Sequence, residues 1–310
     1  MCIWLRERES IIIQALSRYG KTMNEASKGW LNGLIGVAIF SGSLPATRVA
    51  VAGFDPVFLT AARAAIAGMM ALILLGTQRN ARPPLRDMVS LSTVALGVVL
   101  GFPLLSALAL QHITAARSLV FIGLLPLSTA IFGVLRGKER PRPAFWLFAL
   151  LGSACVAGFA LAQNTDASWR GDLLMLGAIL TCGYGYAEGG RLSRHMGGWE
   201  VISWALVLSL PFMAVLCVVA LPQTWQHISV PAWIGLGYVS LFSMLIGFIF
   251  WYRGLAQGGI AAVGQLQLLQ PFMGLALAAA ILGESISLPM MAATIAVVAC
   301  VAGARIFAGK

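Results

Sequence analysis

From residue 29 to the C-terminus, long apolar stretches alternate with short polar ones. A membrane-spanning helix needs about 20 largely apolar residues. Ten stretches reach that length, at roughly 29–51, 56–76, 88–110, 114–135, 143–163, 171–190, 199–221, 231–252, 259–282 and 288–307. Runs such as 94–100 and 275–282 are continuously apolar and lack the two-residue alternation of a transmembrane β-strand. Backbone polar groups cannot face hydrocarbon unpaired, so the stretches are predicted to be helices. The connections are short and leave no room for a soluble domain. The expected fold class is an all-α integral membrane protein with ten transmembrane helices.

Composition agrees. Of the 310 residues, 59% are hydrophobic and 10% charged, against about 25% charged in soluble proteins. This excludes a soluble enzyme, a disordered chain and a nucleic-acid binder. A formal net charge of +10 does not restore the last option, because the basic residues cluster between apolar runs. Their placement sets the orientation instead. With the N-terminus inside, 17 of the 21 Lys and Arg residues fall on the cytoplasmic side, among them Arg79, Arg82, Arg86, Arg136, Lys138, Arg140, Arg142, Arg191 and Arg194. Only Arg48 and Arg170 fall outside, and Arg63 and Arg117 lie within spans. Both termini are therefore expected in the cytoplasm of a cell whose inner membrane holds the chain. Residues 1–28 read as a cytoplasmic tail, with Met23 an alternative start. The five cysteines have neither metal-ligand nor redox spacing, and four lie in apolar runs where cysteine packs as a small hydrophobe.

The chain repeats itself. Pro126 precedes Gly137-Lys138-Glu139, and Pro271 precedes Gly283-Glu284, both pairs at an offset of 145. Ala115-Ala116 matches Ala261-Ala262 at an offset of 146, and Gly36 through Gly42 matches Gly177 through Gly183 at 141. Residues 29–163 and 171–307 are thus expected to form two five-helix repeats. Five is odd, so the halves must cross the membrane with opposite polarity, a common plan among transporters.

Several of these residues carry a family resemblance. They are Gly42 with Pro45-Ala46-Thr47-Arg48, Asp55-Pro56 with Arg63, and Ala115-Ala116. The strings from Pro126 to Glu139 and from Pro271 to Leu282-Gly283-Glu284 complete the set. Over residues 29–307 the chain resembles the drug/metabolite transporter superfamily, EamA family. The resemblance implies movement of small metabolites, often amino acids or other amphipathic molecules, through a central cavity, with export the favoured direction. Gly183-Tyr184-Gly185-Tyr186 followed by Glu188 departs from the usual pattern.

Polar groups within spans are costly and are substrate-binding candidates by default. Glu188 could pair with a substrate amine or relay protons, or else pair with Arg191 or Arg194. Arg63 could hold a substrate carboxylate, snorkel outward, or, as the resemblance implies, form an ion pair with Asp55. Arg117 could line an outer vestibule. Gln267 and Gln270 are three residues apart and share a helix face. Pro271 lacks a donor, so the Gln267 carbonyl is expected to be freed beside them. Tyr184 and Tyr186 read as cavity walls, with Phe102 and Trp204 as further stacking surfaces. Trp251 and Tyr252 fall where an interfacial belt would lie.

The leading expectation is a secondary transporter of small amphipathic, amino-acid-like or drug-like metabolites, working by alternating access, with efflux favoured. Uptake of a vitamin or sugar, and lipid flipping by the same fold, are the alternatives. No Walker-type phosphate loop, His-Glu-x-x-His or Gly-x-Ser-x-Gly string occurs, so no catalytic residue, cofactor or metal is expected. Expected partners are the substrate and the bilayer, with no nucleic acid. Proton coupling through Glu188 stays open, as does the choice between monomer and homodimer.

Overall fold

The computed structural model describes residues 25–78, 82–109, 111–113, 118, 121–162, 168–226, 228–282 and 288–308. The tail with Met23, Arg117 and Glu284 lie outside the described residues. Among those described, the regular structure is helical. α1 (25–41) passes through a turn at Gly42 into α2 (Ser43–Ala50). Then come α3 (Pro56–Thr77), α4 (Leu85–Ala109), α5 (Leu125–Gly137) and α6 (Pro143–Leu161). α7 (Trp169–Leu192), α8 (Gly198–Val219) and α9 (Val230–Gly258) follow. α10 (Ile260–Gly264) continues through a 3₁₀ turn, Gln265–Leu269, into α11 (Gln270–Leu282), and α12 (Leu288–Phe307) closes the chain.

Helix boundaries follow from local chemistry. Asp55 caps α3, its carboxylate accepting from the Val57 and Phe58 N–H groups at 2.8 and 3.1 Å, with Pro56 in the first turn. Both placements suit a helix start. Ser229 caps α9 through the Ala232 N–H. At Gly259, φ is +92°, a value that lets the chain turn sharply from α9 into α10. α4 and α9 are not uniform: each contains a wider π-helical segment, Ala95–Gly101 and Tyr238–Ile246 respectively. Such segments recur at functional sites.

Among the described residues, six helices have the length and apolarity of a membrane span: Glu25–Thr47, Pro56–Thr77, Leu85–Ala109, Gly198–Val219, Val230–Gly258 and Leu288–Phe307. Leu125–Gly137 and Pro143–Phe159 are apolar but shorter. The expected span at 171–190 is a long helix carrying Glu188, and that at 259–282 is divided by the 3₁₀ turn. Large apolar side chains stand exposed on the outside of the bundle, including Leu72 and Ile73 on α3, Val215 and Val219 on α8, and Ile295 on α12. Such a surface suits lipid and not water.

α7 sits at the centre, packed by α4, α5 and α9. It remains a continuous α-helix through Gly183 and Gly185, so these glycines do not interrupt it. They allow close approach. A Cβ at Gly183 would collide with Ser128 of α5, and one at Gly189 would collide with the Tyr252 ring of α9. Trp251 and Tyr252 also correct an expectation. Both are fully buried in the main core and not in an interfacial belt: Trp251 meets Phe40 of α1 and Tyr186 of α7, while Tyr252 packs on Phe248 and donates to the Gly185 carbonyl of α7.

Candidate functional site

A cavity of ≈ 210 Å³ opens where α1, α2, α3, α4, α5, α7, α9 and α11 converge. This is smaller than the roughly 300–1,000 Å³ of sites for drug-sized ligands, and suits a metabolite. Its polar lining is Ser43, Thr47, Arg63, Ser243 and Gln270, together with Tyr186 and Cys182. Phe40, Phe102 and Phe248 supply aromatic walls. Among the described residues, no acidic side chain lines it. Both π segments reach it: Val98 comes from the one in α4, and Ser243 and Met244 from the one in α9. The Ser43 hydroxyl donates to the Ser243 hydroxyl at 2.8 Å and ties α2 to α9 across the wall.

An aromatic cluster adjoins the cavity through Phe40, Tyr186 and Phe248, which line it. Phe40 meets Phe248 edge-on with centroids 5.0 Å apart, and Tyr186 meets Trp251 at 5.5 Å. Beyond it lies a layer of ion pairs. The Glu188 carboxylate is fully buried and accepts from Arg136 Nε at 3.0 Å and from Arg191 Nη2 at 2.6 Å. Arg191 also donates to Ser90 Oγ at 3.1 Å, which adds α4 to the layer. Glu139, just after α5, accepts from the Ile260 and Ala261 N–H groups at 2.7 and 2.8 Å and from Arg194 at 2.7 Å. It therefore caps the start of α10 across the bundle, where a carboxylate is favoured by the helix dipole. His195 Nε2 lies 3.2 Å from Asp87 Oδ2 in the same layer.

Four of the residues singled out in the sequence meet in the cavity wall: Arg63, Phe102, Tyr186 and Gln270. Arg117 lies outside the described residues, and Glu188, Tyr184, Trp204 and Gln267 are not among the residues that line the cavity. Glu188 lies in the ion-pair layer, and its partners are Arg136 and Arg191, not Arg194. Tyr184 packs edge-on against Phe132, 5.2 Å between centroids, under the Arg136 guanidinium. Trp204 packs against the core. Gln267 is buried beside Tyr186, with neither side-chain amide atom in hydrogen-bond geometry. Its carbonyl is not free either, because the 3₁₀ turn lets the Gln270 N–H reach it. The proline's missing donor is thus compensated by a tighter turn.

Asp55 is occupied in capping α3, so the ion pair expected with Arg63 is absent. Arg63 instead lines the cavity with its Nε enclosed and without a hydrogen-bond partner. Sequence reasoning missed Phe40, Ser43, Thr47, Ser243 and Phe248. The available signal was the break at Gly42 and the pair Ser240 and Ser243 that follows Tyr238, whose hydroxyl donates to the Ile39 carbonyl at 2.9 Å.

The sequence pattern of the EamA-like transporter family matches residues 27–161 and 169–306. The chain is 64% identical to the uncharacterized transporter YdeK of Bacillus subtilis strain 168 over 286 residues, which is 92% of this chain and all of that one. It is 23% identical to a probable terminal-alkyne amino-acid exporter of Streptantibioticus cattleyicolor, over 80% of this chain and 83% of that one. A solved crystal structure shares the fold with a TM-score of 0.77 at 22% identity, covering 91% of this chain and 98% of that one. With two matching segments that together take up most of its length, the chain belongs to the EamA-like transporter family and is a multi-pass membrane transporter.

Proposed function

We propose that the protein moves small amphipathic metabolites out of the cell by alternating access around the central cavity. The observation that carries this reading is the cavity itself: polar and aromatic groups from seven helices converge there. We read the aromatic cluster and the ion-pair layer as the closure of one end of it. A site closed at one end by separable contacts between helices is one half of an alternating-access cycle.

The second half would come from the repeat. We read ten spans as two inverted five-helix units, 29–163 and 171–307, with both termini in the cytoplasm and the ion-pair layer on the cytoplasmic side of a bacterial inner membrane. Equivalent spans pack against each other, α3 on α8, α5 on α10 and α6 on α12, which favours this reading. The two π segments start 143 residues apart, close to the repeat offset. Glu139 caps α10, and Glu284 is the equivalent residue of the second half. Rocking would break one set of contacts while its counterpart forms.

Efflux is supported by the exporter named among the relatives and by nothing stronger. Both Glu188 oxygens are already occupied by guanidinium donors, which leaves facilitated movement favoured over proton coupling through that residue. The test compares metabolites in the medium of cells expressing the intact protein, a Gln270→Ala variant, and an empty vector. A compound enriched outside with the intact protein alone identifies substrate and direction. Equal enrichment with the variant removes Gln270 from the site, and depletion of a compound from the medium reverses the direction.

A further inference from the structure

We infer that the occupant of the cavity is a small amphipathic monoanion, with its carboxylate on Arg63 and its apolar body against Phe40, Phe102 and Phe248. This rests on the cavity being the transport site, and adds to it a rule of charge selection. Among the described residues, Arg63 is the one ionised side chain in the lining, and the remaining polar groups are hydroxyls, a thiol and an amide. Its Nε is enclosed and unpartnered, and Asp55, eight residues earlier at the start of the same helix, is engaged in the α3 cap. A buried guanidinium without a counter-ion is costly, and a ligand carboxylate relieves that cost with paired, charge-assisted hydrogen bonds. Arginine stays charged across the whole physiological range, so the preference does not switch with pH.

The same inventory disfavours an ammonium. A zwitterion would satisfy Arg63 but carry its amine toward a wall whose described residues include no carboxylate, leaving hydroxyl, amide and aromatic-face contacts. A cation would meet Arg63 at close range and be repelled. Neutral molecules would keep the apolar contacts and gain nothing from the guanidinium. The expected order of affinity is monoanion first, zwitterion and neutral alcohol next, and cation last. The aromatic walls set the body that fits: three rings surround a space of ≈ 210 Å³, enough for one ring and a short chain.

A probe series with one common body tests this: 3-phenylpropionate, phenylalanine, 3-phenylpropanol and 2-phenylethylamine, each titrated onto the purified full-length protein in detergent by calorimetry. The intact protein is expected to bind 3-phenylpropionate about ten- to a hundredfold more tightly than 3-phenylpropanol, the range for a hydrogen bond to a charged group. Arg63→Gln should bring the two within about threefold while leaving the alcohol's affinity in place, and Arg63→Lys should keep part of the preference. The order on the unmodified protein needs no variant and stands even if Arg63→Gln misfolds. Amine binding as tight as the anion's, or an anion preference that survives Arg63→Gln, overturns the charge rule while leaving the cavity a binding site. Failure of all four probes to bind at millimolar concentrations overturns the cavity as a site for such ligands, and with it the reading on which the rule rests.

Discussion

Removing the charge of Glu188 is expected to loosen one end of the bundle and leave the cavity wall intact. Its carboxylate takes four guanidinium N–H contacts, at 3.0 and 3.2 Å from Arg136 and at 3.3 and 2.6 Å from Arg191. The Glu188 side chain is 0% exposed, while those of Arg136 and Arg191 are 43% and 34% exposed. Deleting one partner of a fully buried pair costs about 3–5 kcal/mol, whereas exposed pairs contribute about 0–1 kcal/mol. With one partner buried and two partly solvated, Glu188→Gln should destabilise the closed layer by about 1–3 kcal/mol, roughly 5- to 150-fold in the opening equilibrium. Hydrogen exchange in detergent or nanodiscs reads this directly. Amides at 186–192 and 260–264 should exchange faster by that factor, while those at 213–219, at the other end of α8, should not change. A variant that exchanges as the intact protein does at 186–192, or that speeds up uniformly along the chain, would refute the idea that this layer is a local closure.

Other outcomes follow from single contacts. Asp55→Ala should cost about 1 kcal/mol through loss of the α3 cap, seen as faster exchange at 56–60, with ligand affinity at Arg63 unchanged because the two do not pair. Gln270→Ala should weaken ligand binding, since Gln270 lines the cavity, whereas Gln267→Ala should leave binding in place and change only unfolding, and calorimetry on the two separates them. Gly183→Ala should destabilise by about 1–3 kcal/mol, because its Cβ would meet Ser128. Gly76→Ala, where a Cβ meets nothing, should be neutral or stabilising by up to about 1 kcal/mol. Unfolding of the two variants in the same detergent gives the comparison.

The apolar pattern reads out well where a helix faces lipid, because hydrocarbon demands a continuous apolar run. α3, α8 and α12 are such cases. It reads less well where a helix is enclosed by protein. There Gln265 can donate to the Pro126 carbonyl at 3.3 Å, and a 3₁₀ turn can interrupt α10 and α11 without exposing backbone to lipid. The candidate site was legible where a charge or amide stood inside an apolar run, as Arg63 and Gln270 do. It was not legible at Ser43, Thr47 and Ser243, since hydroxyls inside helices usually bond to their own backbone, as Ser41 does to the Val37 carbonyl. Glu188 misled for a different reason. One-dimensional spacing offers Arg191 as a neighbour, but Arg136 lies 52 residues away and joins it only through the packing of α5 on α7.

Ser43 offers the most direct test of alternating access, because it lines the cavity and sits on a helix that contacts both α9 and α11. Ser43→Cys, in a chain whose native cysteines are replaced by alanine, would be labelled with a membrane-impermeant maleimide, once on intact cells and once on inverted membrane vesicles. Alternating access predicts labelling from both faces, slowed in each case by 3-phenylpropionate. Labelling from one face alone, under every ligand condition, would contradict the account.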